Sequence, residues 1–313
     1  MKSLCSEYAV EPRAIRSYRD FRYVFEKFGF SQGRLIVRVP TEWGSAVVAA
    51  CSDPIDKLRV QERLKLMESS RSVPAPLMGG ERPTTWIGCV SAVHKRQALA
   101  GAIVGSETSV ADPLPPTISL DDCDEEFLPE VREDQVRRTA EHISEVGRAL
   151  FRHSAKVAIV DPYFDLSSSK CRESLKKLIA VARQEGCDHL DIIGPDRRLN
   201  RVTAAQELAI QIRKIFDAGK KRPILKFVFL PESSQRANFH HRFLLSPFGA
   251  IRLDAGVAAE GEDKWTDVIL VARVRHEELV KQYLQDINSE TNAFVWRWPQ
   301  EDNEYRLPGS SRR

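Results

Sequence analysis

The chain has 313 residues, of which 42% are hydrophobic and 29% are charged, with 47 basic and 44 acidic side chains. At roughly 150 residues per domain, this length predicts two domains or one large one, and the apolar fraction excludes a wholly disordered chain. The net charge of +3 excludes a histone-like polycation but is compatible with a local basic groove. No apolar run reaches the ~20 residues of a transmembrane helix, and residues 1–20 lack the apolar core of a secretory signal. We therefore expect a cytoplasmic protein without integral membrane association.

Six cysteines are spread along the chain, without a Cys-x-x-Cys pair or a histidine at zinc-ligand spacing. This pattern is typical of free thiols in a reducing compartment. We expect no metal site and no cofactor.

An acidic segment divides the chain. Residues 107–134 carry ten acidic side chains, one basic side chain and four prolines, which is typical of an extended linker, or of an acidic mimic of nucleic acid that covers a basic groove. Residues 1–106 show helical spacing at 13–28, 42–50, 55–67 and 86–98 and one short strand at 34–39, so we expect a small α-rich module there. Residues 135–300 form the second expected domain, followed by a disordered tail at 301–313.

The second domain alternates strands and helices. After a helix at 135–152, apolar strands at 156–160, 190–193 and 225–230 are separated by amphipathic helices at 169–184 and 203–216. This order predicts right-handed crossovers on a largely parallel sheet. Further predicted elements complete a mixed α/β sheet flanked by helices: strands at 242–245, 250–253, 268–274 and 293–298, and a helix at 276–287.

The segment from Phe239 to Asp267 contains the residues best suited to chemistry. If it begins as a strand, His240 and Arg242 share one face, because side chains alternate along a strand. A guanidinium matches phosphate oxygens and an imidazole supplies a nucleophile or a proton, so this pair indicates a phosphate site. The alternative is a half-buried histidine beside a structural arginine.

Further candidate residues are expected to lie near His240 and Arg242 because of where they fall in the predicted elements. Asp161 and Tyr163 follow the first strand of the alternating unit, where the ligands of α/β sheets gather. Asp254 and Gly256 lie in a turn where glycine permits close approach of the main chain to an anion. Asp267 is expected to orient the imidazole and fix its tautomer.

Two basic clusters are candidates for contacts with a polymeric substrate. Arg197, Arg198 and Arg201 follow the second strand at its carboxyl end and are candidates for phosphate contacts along a polynucleotide. The cluster Lys220–Arg222 precedes the third strand, at the opposite edge of the sheet, and is a poorer candidate. Solvated loops are the alternative for both clusters.

These motifs resemble those of the phospholipase D superfamily, whose usual motif is His-x-Lys-x4-Asp. The resemblance covers about residues 155–298: the segment VDPYF at 160–164, the alternating unit, and His240-His241-Arg242. The chain resembles a divergent branch of the family that is often seen in bacterial phage-defence loci, through the segments HHRFLL, GAIRLDAG and Thr266-Asp267. Two positions depart from the motif, because Arg242 replaces the lysine and Pro247 stands in the place of the aspartate.

The resemblance implies a metal-independent phosphodiesterase of a defence-type system, with a nuclease as the expected activity. In it His240 attacks phosphorus and Arg242 stabilises the developing charge. The family uses a second histidine as general acid, which implies a homodimer in which a second copy supplies its own His240.

Two other function classes remain. The departures from the motif are compatible with a catalytically degenerate subunit that binds phosphate or nucleic acid within a multiprotein defence complex. A plain nucleotide-binding domain is disfavoured, because no Gly-rich loop follows the first strand of the alternating unit.

Overall fold

The computed structural model describes residues 4–67, 72–74, 85–105, 115–124, 126–129, 132–196, 204–215, 224–231, 240–285 and 293–298. The chain divides into two compact units, one spanning Leu4–Arg132 and the other beginning at Glu133. Both units combine a sheet with helices, so the predicted α/β class is confirmed at this level. In the described ranges, no helix has both the length and the apolar character needed to cross a bilayer.

The first unit is built on a parallel sheet. Its strands are β1 (Ser6–Val10), β2 (Arg34–Arg38), β3 (Ser72–Pro74), β4 (Gly101–Val104) and β5 (Thr117–Ser119). Its helices are α1 (Tyr18–Lys27), α2 (Trp43–Ala50), α3 (Pro54–Met67) and α4 (Trp86–Arg96). The strands lie in the order β3-β2-β1-β4-β5 with parallel pairing throughout. Aromatic side chains fill much of the core, among them Tyr8, Phe21, Phe28 and Trp43.

The expectation of an α-rich module at residues 1–106 is therefore wrong. The predicted helices are present within a few residues of their expected bounds, and so is β2, but the other strands were missed. Strands β1 and β4 are four or five residues long and almost wholly buried. Buried parallel strands lack the polar–apolar alternation that marks a strand in sequence, which is why these two escaped recognition.

The acidic segment 107–134 is in part a component of the first unit rather than a linker. Thr117–Ser119 pairs with β4, and the ring of Phe127 lies 6.0 Å from that of Tyr8. Leu128 is buried in the core, and Arg34 Nη1 donates a hydrogen bond of 2.8 Å to its carbonyl oxygen. Two adjacent apolar residues thus anchor an otherwise acidic stretch. Residues 106–114, 125, 130 and 131 lie outside the described ranges.

We expect Leu128→Ala to lower the free energy of unfolding of the full chain by about 2–4 kcal/mol, because it leaves a cavity in the core of the first unit. Leu58→Ala is the control, since Leu58 is 62% exposed and its truncation should cost less than about 0.5 kcal/mol. Urea unfolding of the two variants measures the difference. Equal effects would show that the segment is not anchored.

The second unit contains one eight-stranded mixed sheet. Its strands are β6 (Glu133–Arg138), β7 (Lys156–Val160), β8 (His189–Pro195), β9 (Ile224–Leu230), β10 (Phe243–Leu245), β11 (Ala250–Leu253), β12 (Gly261–Leu270) and β13 (Phe294–Trp298). Its helices are α5 (Ala140–Val146), α6 (Arg148–His153), α7 (Ser169–Glu185), α8 (Ala204–Arg213) and α9 (Arg273–Val280), which continues as a π-helical turn at Lys281–Gln285. The strand order is β13-β9-β8-β7-β10-β11-β12-β6, in which β7, β8 and β9 are parallel to one another and the other pairs are antiparallel.

The alternating unit β7-α7-β8-α8-β9 confirms the sequence prediction. The helix predicted at 135–152 is wrong at its start, because residues 133–138 form β6 along the edge of the sheet. Helix α5 begins after Thr139, whose Oγ1 accepts a hydrogen bond of 3.2 Å from the His142 amide. The strand predicted at 268–274 ends at Leu270 and begins earlier, at Gly261. The cluster Lys220–Arg222 and the predicted tail at 301–313 lie outside the described residues.

Candidate functional site

The candidate site lies at the carboxyl end of β7. Asp161 follows the last residue of β7, and Arg242 precedes β10, whose Phe243 pairs with Val160. Continued by one position, this antiparallel register sets Arg242 beside Asp161. The Arg242 Nε atom lies 4.0 Å from Asp161 Oδ1, which is an ion pair without a direct hydrogen bond.

The Asp161 carboxylate is held by main-chain amides from two loops. Its Oδ1 accepts a hydrogen bond of 2.8 Å from the Tyr163 amide, and its Oδ2 accepts one of 3.2 Å from the Val257 amide. Only 3% of the residue is exposed, and this burial raises the pKa of Asp161 above its ordinary value. The two amides and the charge of Arg242 act in the opposite direction on that pKa. Asp161 therefore ties together the loop after β7, the loop after β11 and the residue before β10.

Arg242 is positioned by three contacts. Besides the ion pair with Asp161, its Nη1 donates a hydrogen bond to the Asp254 carbonyl oxygen. Its guanidinium carbon lies 4.6 Å from the centroid of the Tyr163 ring, a cation–π contact. The side chain is 23% exposed, and its Nη2 atom has no hydrogen-bond partner among the residues that the structure describes. One edge of an oriented guanidinium is thus open to a ligand.

Both the backbone conformation at position 256 and the atoms around it require a glycine. Its φ is +76°, in the left-handed region, and a Cβ placed there would lie 2.6 Å from Asp161 Oδ2 and 3.4 Å from Arg242 Nε. The sequence predicts that this glycine approaches an anion. The anion beside it is the protein's own carboxylate, so close packing around Asp161 accounts for the residue.

We expect Gly256→Ala to lower the free energy of unfolding by at least about 2–3 kcal/mol, because the added methyl collides with the Asp161 carboxylate. Gly186→Ala is a matched control, since Gly186 also has a left-handed φ of +86° but has open space around its Cβ position. The control should cost only the backbone strain of about 1–2 kcal/mol. Chemical denaturation of both variants gives the comparison, and equal losses would mean that the clash is relieved.

The loop that contains Gly256 has further supports that the sequence did not indicate. Arg138 Nη2 donates a hydrogen bond of 3.1 Å to the Ala255 carbonyl oxygen, and Thr266 Oγ1 accepts one of 3.0 Å from the Ala255 amide. The sequence predicts a helix at Arg138, whereas the residue ends strand β6, so its contact with this loop could not be predicted. A half-buried cation at a strand edge leaves no periodic signal.

His240 does not lie in a strand. Strand β10 begins at Phe243, so strand alternation is not established for residues 240–242 and the common face of His240 and Arg242 stays a prediction. His240 is exposed and makes no hydrogen bond with the described part of the chain. His241 is also exposed, with its ring 6.3 Å from that of Phe243.

Asp267 does not orient His240. Its Oδ1 accepts a hydrogen bond of 2.8 Å from Gln135 Nε2, on the exposed side of β12. The neighbouring Thr266 and Val268 are buried, so Asp267 points to the other face of the sheet. This predicted contact is wrong because the orientation of β12 depends on its pairing with β6, a strand that the sequence did not indicate.

The structure therefore brings together Asp161, Tyr163, Arg242, Asp254 and Gly256, and places Asp267 elsewhere. The candidates Arg197, Arg198 and Arg201 lie outside the described residues, so their proximity to Arg242 stays a prediction.

Comparisons with known proteins do not assign the chain to a family. No family model matches it, and no curated protein matches it. A solved structure of TrmBL2, an archaeal chromatin protein described as showing a novel mode of DNA binding, is similar at 14% identity with a TM-score of 0.25. The match covers 50% of this chain and 51% of that one, so the chain spans about half the length of this relative. A TM-score this low establishes neither a shared fold nor a shared function.

Proposed function

We propose that the second unit binds a phosphodiester at Arg242 and that its ligand is nucleic acid. The supporting observation is that Asp161, Tyr163 and Asp254 fix Arg242 while leaving its Nη2 edge open. A guanidinium edge pairs with phosphate oxygens in the plane of the group, and preorientation reduces the entropy lost on binding. The site also lies at the carboxyl ends of parallel strands, where the ligands of open α/β sheets are held.

The charge around Arg242 favours a polymeric ligand over a single phosphate. Asp161 offsets part of the positive charge, so one phosphate at this position gains little electrostatic energy. Several weak phosphate contacts along a polynucleotide add up to useful affinity and make it strongly dependent on salt. The proposed additional contacts are Arg197, Arg198 and Arg201. They follow β8, which is parallel to β7 and ends at the same edge of the sheet.

We expect Arg242→Lys to weaken binding of a labelled oligonucleotide about ten-fold, because lysine keeps the charge beside Asp161 but loses the planar fork. Arg252→Lys is the matched control, since Arg252 pairs with Asp254 Oδ1 at 2.8 Å one strand away. Fluorescence anisotropy at low and moderate salt measures both affinities. An unchanged affinity for Arg242→Lys, or equal losses for both variants, would contradict the proposed site.

Cleavage of the bound phosphodiester is a second candidate function, supported by the exposed imidazole of His240 two residues before Arg242. In the phospholipase-D-like mechanism, a His240 nitrogen bonds to phosphorus as the bond to the leaving oxygen breaks. A second histidine, supplied by a second copy of the chain, protonates that oxygen. Water then releases the phosphate from His240. Because His240 has no orienting carboxylate among the described residues, binding without cleavage, as a subunit of a larger assembly, is the better supported function.

The nuclease hypothesis predicts different effects for substitutions of the adjacent residues His240 and His241. If the unit is a nuclease, His240→Ala should abolish cleavage of single- or double-stranded DNA or RNA, while His241→Ala retains it within about two-fold. The nucleophile is a side chain, so EDTA should not inhibit the reaction. Gel assays of purified protein in EDTA decide between the two candidates. If neither the wild type nor either variant cleaves the substrate, only the binding function remains. Cleavage that appears only when magnesium is added would exclude this mechanism.

A further inference from the structure

We propose that the nucleic acid held at Arg242 is single-stranded and that one of its bases stacks on the ring of Tyr163. This inference rests on the proposed function, since it names the class of ligand at the same site. It follows from an aromatic side chain that packing alone does not explain.

Tyr163 is a large aromatic residue that is 58% exposed, three residues after the end of β7. Its main chain is fixed, because the amide donates a hydrogen bond of 2.8 Å to Asp161 Oδ1. One side of its ring contacts the Arg242 guanidinium, at 4.6 Å from the ring centroid. Since more than half of the residue is exposed, the surface of the ring away from Arg242 faces solvent. The ring is therefore oriented, supported from one side and open on the other.

Phosphate binding and base stacking are compatible at this pair. The hydrogen bonds of a guanidinium lie in its plane, whereas its contact with Tyr163 uses its face. A phosphate at the open Nη2 edge leaves the cation–π contact intact, and a base that follows this phosphate along the chain can cover the free side of the ring. Stacking of a base on an aromatic ring is sequence-tolerant and contributes substantially to the binding of single strands.

This geometry discriminates between single and double strands. In a duplex each base is stacked on its neighbours and paired, so contact with Tyr163 would require unstacking and unpairing. In a single strand the bases are free to turn toward the ring. Arg242 alone would bind the phosphates of either form, and Tyr163 adds affinity for only one of them.

The structure contains a second exposed pair of an aromatic ring and an arginine, but the charges around it do not favour a phosphate. Trp265 is 53% exposed, and the guanidinium of Arg137 lies 5.3 Å from its ring centroid. Arg137 is paired with Glu262 at 2.7 Å, and Asp263 and Asp267 are exposed nearby. Lys264 is also paired, with Asp263 at 3.7 Å, so the cations beside Trp265 are neutralised and Asp267 leaves the surface net negative. Trp265 therefore provides a control with the same kind of ring and without the expected phosphate binding.

The test compares oligonucleotides of one sequence in single- and double-stranded form, bound by the full chain at fixed salt. The wild-type protein should bind the single strand about ten-fold more tightly. Tyr163→Ala and Tyr163→Leu should each lose about ten-fold in affinity for the single strand and less than about two-fold for the duplex, because neither residue has a ring on which a base can stack. Tyr163→Phe retains the ring and should recover most of the single-strand affinity that Tyr163→Ala loses, and Trp265→Ala should bind as the wild type does.

The outcomes separate this inference from the proposed function. If the wild-type protein binds neither form, the proposed function fails. If it binds both forms equally and Arg242→Lys weakens binding while Tyr163→Ala does not, the phosphate site stands and the stacking contact is wrong. Equal losses for Tyr163→Phe and Tyr163→Ala would also overturn it, because phenylalanine retains the ring.

Discussion

The burial of one carboxylate, that of Asp161, is the constraint on which the site depends. A buried charge is costly unless its hydrogen-bonding capacity is satisfied, and Asp161 obtains its partners from three separate segments. These partners are the amide of Tyr163, the amide of Val257 and the guanidinium of Arg242. Because these segments follow β7, follow β11 and precede β10, the carboxylate couples the geometry of three loops to one another.

The same arrangement limits what Arg242 can do. Its ion pair with Asp161 fixes the guanidinium but reduces the positive charge that a ligand experiences. Such a group serves orientation more than attraction, since its remaining edge is already aligned. Under the proposed function, strong binding then has to come from contacts beyond the guanidinium, either further phosphates or a base stacked on Tyr163, and both require an extended ligand rather than a free phosphate ion.

The sequence predicts the parts of this site that follow from local pattern. Long amphipathic helices and apolar runs reveal β7, β8 and β9, and the rule that ligands gather at strand ends selects Asp161, Tyr163 and Arg242. Strands β1 and β4 were missed because they are short and almost wholly buried. The contact of Asp267 with Gln135 could not be predicted, because it depends on β6 pairing with β12 across 132 positions of sequence, with an irregular register between Gly261 and Trp265. Contacts set by long-range register leave no trace in periodicity.

The two candidate functions differ in what they still require of the protein. Binding at Arg242 needs no further ordering, because the contacts that orient the guanidinium are already formed. Catalysis by His240 needs an imidazole held in one tautomer and one direction, and the residue precedes β10 without a hydrogen bond to any other described residue. Only a ligand, a second copy of the chain or a segment outside the described residues can supply that orientation. A nuclease built on this site would therefore depend on assembly or substrate to complete itself, whereas the proposed phosphate contact at Arg242 uses a guanidinium that is already oriented by described residues.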